Sequence, residues 1–228
     1  AAVSHELKTP LTAIRMFAET LHDTESPDPG TQSEYLETIV NESERLTRLL
    51  NNVLDFSKIE GGKKTYHPEL ESLEEIVRFT ARAMRYPLEQ KRFQLRLEID
   101  DGLPPVRVDR DAIEQAILNL LANAMKYSGE SREILLRLRS ENGEAVIEVS
   151  DRGVGIEPWE ISNIFERFYR VSSLENDRIP GAGLGLTLVQ HIAEAHGGRV
   201  DVKSEPGKGS TFSLLLPRDG AEGGQGAG

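Results

Sequence analysis

Ser4–Met16 reads SHELKTPLTAIRM, and the spacing of its apolar residues decides the architecture of the first quarter of the chain. Leu7, Leu11, Ile14, Ala18 and Leu21 recur at alternating steps of four and three, the seam of a helix packed on other helices. With Leu7 as a d position and Leu11 as an a position, His5, Glu6 and Thr9 fall at b, c and f, all predicted to face outward. Pro10 removes one backbone donor and leaves the Glu6 carbonyl without its helical partner, which predicts a bend. A titratable imidazole is thereby displayed on a solvent face beside a local helix defect.

Outward from this stretch, a first helix is predicted from about residue 1 to 24. ESPDPG, Glu25 to Gly30, reads as a turn, because two prolines and a glycine would not persist in a helix. A second amphipathic segment follows over about 31–60, with Leu36, Ile39, Val40, Leu46, Leu50 and Val53 along its stripe. Thirty helical residues span roughly 45 Å. A single hairpin of two such helices leaves each apolar stripe half covered, and pairing two hairpins into a four-helix bundle covers both. The expectation is a homodimer.

EGGKK, Glu60 to Lys64, reads as a helix end and linker. Beyond it the periodicity changes. A helix is predicted over about 73–90, ended or kinked by Pro87, then strands over about 93–99 and 106–108, and a helix over about 110–127. REILLRLRS and AVIEVSD flank ENGE, whose Asn-Gly signals a hairpin. A helix from about Leu184 to Ala195 ends at Gly197-Gly198, and RVDVKSE and STFSLLLP form a second hairpin around PGKG. The predicted class is α+β: a helical hairpin in a dimeric four-helix bundle, then an α/β sandwich. The predicted divisions are 1–60 for the helical domain, 61–66 for a flexible linker, 67–217 for the sandwich and 218–228 for a disordered tail rich in Gly and Ala.

The 228 residues are 38% hydrophobic and 29% charged, with no cysteine and a net charge of −11. This composition describes a globular protein without disulfides or thiolate metal sites. The acidic balance argues against nucleic acid as partner. No apolar run approaches about twenty residues, so no membrane contact is expected. The missing initiating Met predicts a fragment.

The chemistry clusters in the second half. DRGVGI (Asp151–Ile156), GAGLGL (Gly181–Leu186) and GKGST (Gly207–Thr211) are glycine-rich, and glycine lets backbone approach a ligand closely. Each alone is weak: GAGLGL fails the dinucleotide fingerprint at Leu186 and lacks the Lys-Ser/Thr of a P-loop. Within AILNLLANAMKYS, Asn119, Asn123, Lys126 and Tyr127 lie at offsets of zero, four, seven and eight, so they share a helix face. Asparagine carbonyls suit a hard cation such as Mg²⁺, which brings its own waters and nucleotide phosphates. The bland alternative, a polar outer face, is disfavoured because asparagine is a poor helix former.

From Ser4 to about Pro217 the chain resembles the catalytic core of the sensor histidine kinases of two-component signalling. The boxes SHELKTPLT, NLLANAMKYS, DRGVGI, FERFYR, GAGLGL and GKGSTF appear in the family's order. The resemblance implies a dimerisation and phosphoacceptor domain, then an ATP-binding domain of the superfamily shared with gyrase, chaperone and mismatch-repair ATPases. It implies ATP and Mg²⁺ as cofactors and a response-regulator receiver domain as partner. It further implies the cytoplasmic portion of a membrane-anchored sensor whose sensor region is absent. By the same resemblance His5 accepts phosphate, Glu6 is base for its other ring nitrogen, and Thr9 serves dephosphorylation of the partner. Asp151 would hold the adenine amino group, while Asn123, with Asn119, would reach Mg²⁺. Asn119, Lys126 and Tyr127 would line the phosphate side, with Arg170 near the γ-phosphate. Gly153, Gly155, Gly181, Gly183, Leu184, Gly185, Leu186 and Thr211 complete the expected nucleotide contacts, and residues 168–180 the lid.

His22, His67, His191 and His196 are read as surface histidines with no role. HELKT is not a zinc-protease motif, since Thr9 stands where a second His is needed. A related ATPase would carry a glutamate one turn before Asn123 to activate water, and Asn119 occupies that place. A non-catalytic scaffold is the remaining alternative, against which the intact boxes argue.

Overall fold

In the computed structural model, residues 2–24, 28–171 and 183–218 are described. Helix α1 spans Ala2–Asp23 and runs through Pro10 as one helix, and α2 spans Pro29–Glu60. The second helix begins earlier than its composition predicts. Pro29 and Gly30 belong to its first turn, and Asp28 caps it, its Oδ2 accepting from Gly30 N (3.1 Å) and Thr31 N (3.2 Å). Proline at the first helical position costs nothing, because that N–H has no partner in any helix.

Packing within the hairpin rotates the predicted seam by one residue. Among the described side chains of α1, Glu6 and Pro10 are the buried ones, while Leu11 is 57% exposed. On α2, Leu49 and Phe56 are buried, with Ile39, Leu46 and Val53 half-buried in the same three-four series. Phe17 meets Tyr35 with ring centroids 4.9 Å apart. Leu36, Val40, Leu50 and Leu54 belong to a second series, broken by Ser43 and Thr47, and remain exposed.

The second compact unit starts at Thr65. Strand β1 (Glu69–Glu71), helices α3 (Leu73–Ala83) and α4 (Arg85–Gln90), strands β2 (Gln94–Ile99) and β3 (Val106–Val108), and helix α5 (Arg110–Tyr127) come first. Hairpin β4 (Glu133–Glu141) and β5 (Glu144–Asp151), helix α6 (Gly185–Ala195), and hairpin β6 (Arg199–Glu205) and β7 (Gly209–Pro217) complete it. The helix predicted over 73–90 is two helices, broken at Met84, three residues before Pro87. Strand β1, unforeseen in the sequence, pairs antiparallel with β3.

The main sheet has the order β2-β4-β5-β7-β6, parallel only between β2 and β4. Its helix-covered face holds Ile134, Leu136 and Leu138 of β4 with Ala145, Ile147 and Val149 of β5, all at 1% exposure or less. They meet Ile113, Ile117, Leu120 and Leu121 of α5 and Leu188 and Ile192 of α6 in one apolar core. The opposite face is ionic, and Glu98, Arg137, Glu148 and Ser213 stand in register across four strands.

Candidate functional site

Three elements converge at the C-terminal end of β5. Asp151 is the last residue of that strand and is 9% exposed. Its Oδ1 accepts from Gly153 N at 2.8 Å. Burial pushes the carboxyl above its ordinary range, and the backbone donors of Gly153 and Ser210 oppose that shift only in part. A carboxylate held there at a cost has acceptor capacity suited to an amine or amidine edge.

The glycines of DRGVGI owe their identity to the protein's own backbone. A Cβ on Gly153 would sit 1.9 Å from the Tyr127 carbonyl, and one on Gly155 would sit 2.1 Å from that of Glu205. Val154 N donates to the same Tyr127 carbonyl at 3.1 Å, and Gly207 N to Val154 O at 2.8 Å. The turn after β5 is therefore wedged between the end of α5 and the β6–β7 hairpin. Within the chain, the close approach that these glycines permit is of one main chain to another.

Helix α5 presents the expected polar face. Asn119, Asn123, Lys126 and Tyr127 are all half-buried. Lys126 Nζ donates to the Tyr127 hydroxyl at 2.9 Å and lies 4.6 Å from the ring centroid. Burial raises the Tyr127 phenol above its usual range, and the nearby charge of Arg170 opposes the rise. The fold thus brings Lys126, Tyr127 and Arg170 together into one cationic cluster. Asn119 meets the start of α6, its Oδ1 being 3.4 Å from where a Gly185 Cβ would stand. Leu184 is buried, and Gly183 and Leu186 are half-buried beside it. Thr187, one residue beyond that box, donates its hydroxyl to Phe165 O at 2.9 Å and ties FERFYR to α6. Phe168 begins the expected lid at φ 61, a conformation that a non-glycine residue adopts only when held there. Thr211 shares a hydroxyl hydrogen bond with Ser150 at 2.8 Å.

Gly181 and residues 172–180 of the expected lid lie outside the described residues, as does the tail from 219. His5 lies on α1, but its side chain is likewise outside them. Thr9 is exposed on α1 as expected. Glu6 is a correction: it turns toward α2, and its Oε2 is 3.5 Å from Nη2 of Arg45, which also pairs with Glu42 at 3.1 Å. The heptad frame had put Glu6 outward, but burying Pro10 against α2 rotates the helix and carries Glu6 inward with it.

The donor set fits a nucleotide. A buried acceptor lies at one end, two cationic side chains lie beside the α5 face, and a glycine-led helix starts next to Asn119. No cluster of three or more metal-ligating acids or histidines exists among the described residues. The asparagine carbonyls of α5 are a donor type that suits a hard cation arriving with its own waters and phosphates.

Comparison with known proteins agrees. The phosphoacceptor model "His Kinase A (phospho-acceptor) domain" matches residues 1–62. The model "Histidine kinase-, DNA gyrase B-, and HSP90-like ATPase" matches residues 108–220. The alginate biosynthesis sensor protein KinB of Pseudomonas aeruginosa is 37% identical over 217 residues, covering 94% of this chain and 36% of that protein. The chain spans about a third of the length of such curated relatives. The crystal structure of full-length ShkA in complex with AMPPNP superposes with a TM-score of 0.69 at 27% identity, covering 94% of this chain and 44% of ShkA. Histidine kinase ThkA, solved in complex with response regulator protein TrrA, shares the fold at a TM-score of 0.65 and 23% identity, over 95% of this chain and 60% of that one. No described helix is long and apolar enough to cross a membrane.

Proposed function

The chain belongs to the sensor histidine kinases of two-component signalling, and from that premise we propose that it is an ATP-dependent protein-histidine kinase. His5 is the phosphoryl acceptor, and an aspartate of a response-regulator receiver domain is the next acceptor. Residues 1–60 serve as the dimerising acceptor domain and residues 67–217 as the nucleotide domain. The observation that carries the reading is the buried Asp151 carboxylate on the same turn that Gly153 wedges against Tyr127, with Lys126 and Arg170 around that tyrosine. AMPPNP bound to ShkA supports ATP, and the ThkA–TrrA complex supports a response regulator.

Asp151 accepts the hydrogen bond of the adenine amino group. Lys126 and Arg170 offset phosphate charge, and Gly183 to Leu186 lie against the phosphates at the start of α6. Mg²⁺, taken by Asn123 with Asn119 nearby, supplies further charge neutralisation. Transfer then depends mainly on positioning. One ring nitrogen of His5 forms the N–P bond as the P–O bond to the departing ADP breaks, and the proton on the other ring nitrogen passes to Glu6. Glu6 reaches that proton by exchanging its Arg45 contact for the imidazole. Thr9, four residues after His5 on the exposed face, holds water for hydrolysis of the partner's phospho-aspartate.

The test is incubation with γ-labelled ATP and Mg²⁺. Label should appear on the chain, be lost in acid, survive base, and vanish in His5→Gln with nucleotide affinity unchanged. Label persisting in His5→Gln overturns the acceptor assignment. Steady ATP hydrolysis without any labelling would favour the related ATPases instead, although Asn119 stands where their water-activating carboxylate would be.

A further inference from the structure

Strand β2 forms one edge of the main sheet, and the apolar layer beside it is left partly open. Leu95 and Leu97 stand in register with Ile134 and Leu136 of β4. The β4 pair is buried to 1% exposure or less, but the β2 pair is only half-buried. Between α3–α4 and β2 lies a cleft of about 480 Å³, within the range of about 300–1,000 Å³ usual for small-ligand sites. Buried Leu88 and Phe93 complete its apolar wall. No residue lining it belongs to the nucleotide site described above, which is built on β5, α5 and α6.

The mouth of the cleft is cationic, in a chain whose net charge is −11. Arg78 and Arg82 are one helical turn apart on α3, and Arg85 begins α4. Arg78 Nε donates to Glu74 at 2.8 Å and Arg85 Nε to Glu89 at 2.8 Å. Both are exposed pairs, which cost little to rearrange. The exposed Arg82 guanidinium pairs with no acid among the described residues. A further guanidinium, that of Arg132, lies 5.0 Å from the centroid of the Phe93 ring. Three arginines against two glutamates leave one positive charge at the mouth, above an apolar wall.

We propose that this cleft is a binding site for a small amphiphilic monoanion, a single carboxylate on a hydrocarbon body. The hydrocarbon covers Leu95 and Leu97, which the sheet edge leaves partly in water. The carboxylate meets Arg82, whose planar fork matches a two-oxygen anion. One uncompensated charge favours a monoanion over a polyphosphate, and the apolar wall favours a hydrocarbon over a sugar. The site needs nothing of the kinase reading.

Calorimetric titration of the full chain with decanoate, below the concentration at which it forms micelles, tests the proposal. One decanoate should bind per chain, with an affinity unchanged by a saturating ATP analogue. Octanoate should bind roughly fivefold to tenfold more weakly, since two methylenes leave the wall, and acetate should not bind. Arg82→Gln, an exposed change that keeps a good helix former, should weaken decanoate about tenfold. Decyltrimethylammonium, a similar body with the opposite charge, should bind wild type no better than decanoate binds Arg82→Gln. Absence of saturable decanoate binding overturns the site. So does displacement by the ATP analogue, which would place the amphiphile among the nucleotide residues. Equal decanoate affinity in wild type and Arg82→Gln, or equal affinity for decanoate and the cation, would mean adsorption on exposed leucines and overturns it as well.

Discussion

Glu148 and Asp151 stand three residues apart on β5, on opposite faces of the sheet, and their acidities are displaced in opposite directions. The Glu148 carboxyl lies below its ordinary range because Arg139 hydrogen-bonds it, at 2.9 Å, against the effect of partial burial. The Asp151 carboxyl lies above its range because it is buried. The two displacements set a salt-bridged carboxylate apart from a desolvated one on the same strand.

The linkage signs follow. Glu148, lowered in the native state, contributes stability that is present above the unfolded value, 4.5, and lost as pH falls through the native value. Asp151, raised in the native state, favours folding when protonated; that contribution is full below 3.8 and lost as pH rises through the native value. Asp151→Asn should therefore melt higher than wild type at neutral pH without nucleotide, the gap closing on acidification, while binding ATP more weakly. Glu148→Gln should lower the melting temperature at neutral pH and flatten its acid decline. Thermal melts across pH with parallel nucleotide titrations check both. An Asp151→Asn protein with unchanged nucleotide affinity would mean the adenine contact is misplaced.

The wedge at Gly153 predicts a graded pair. Gly153→Ala drives a methyl group into the Tyr127 carbonyl, where only backbone could yield, and should cost about 3 kcal/mol or more along with nucleotide binding. Gly207 has open space around its would-be Cβ but a φ of +76, so Gly207→Ala should cost only about 1 kcal/mol. Urea unfolding followed by circular dichroism distinguishes the two.

Adjacent leucines on α2 should part company. Leu49 is buried within its own hairpin and Leu50 is 43% exposed. On the proposed dimer, Leu50→Asp should leave helicity intact but give a monomer by sedimentation, since it would place a charge in the proposed seam between chains. Leu49→Ala should lower helical stability by about 2–4 kcal/mol without selectively dissociating the dimer. Two monomeric variants, or two dimeric ones, would refute the division into inner and outer series.

Thr9→Ala should retain self-labelling and transfer to the receiver but lose most acceleration of receiver dephosphorylation, making the chain a one-way kinase. Decay of a phosphorylated cognate receiver in ADP and Mg²⁺ is the measurement. Equal acceleration by mutant and wild type would make Thr9 structural, and loss of self-labelling would mean it maintains the helix.

Most of the fold was legible because its signals are local. The α5 range of 110–127, the Asn142-Gly143 hairpin and the glycines ending α6 follow from caps, turn residues and period. The three-residue β1 carried no such signal, since its pairing with β3 is decided some forty residues away. The stripe on α2 was visible, but its split into inner and outer series was not: Leu49 and Leu50 are chemically alike, and only packing against α1 tells them apart. Glu6 was misplaced for the same reason, as a heptad frame chosen on leucines cannot foresee that a proline will occupy the interface. At the site, the α5 face was readable from spacing alone. His196 was misread as a surface histidine: it is 9% exposed, with Nε2 3.0 Å from Asp109 N and Nδ1 2.7 Å from Ile192 O, and that neighbour across the fold leaves no mark in the sequence.

On the proposed dimer, the uncovered series Leu36, Val40, Leu50 and Leu54 should give the two halves of the chain different thermal behaviour. A helical hairpin that completes its core only against another copy has a melting point that falls on dilution, because association is part of its folding. The sandwich, closed around its own apolar centre, should melt at a temperature indifferent to protein concentration. One polypeptide would thus show two transitions in calorimetry, one sliding with dilution and one fixed. Nucleotide should raise only the fixed one.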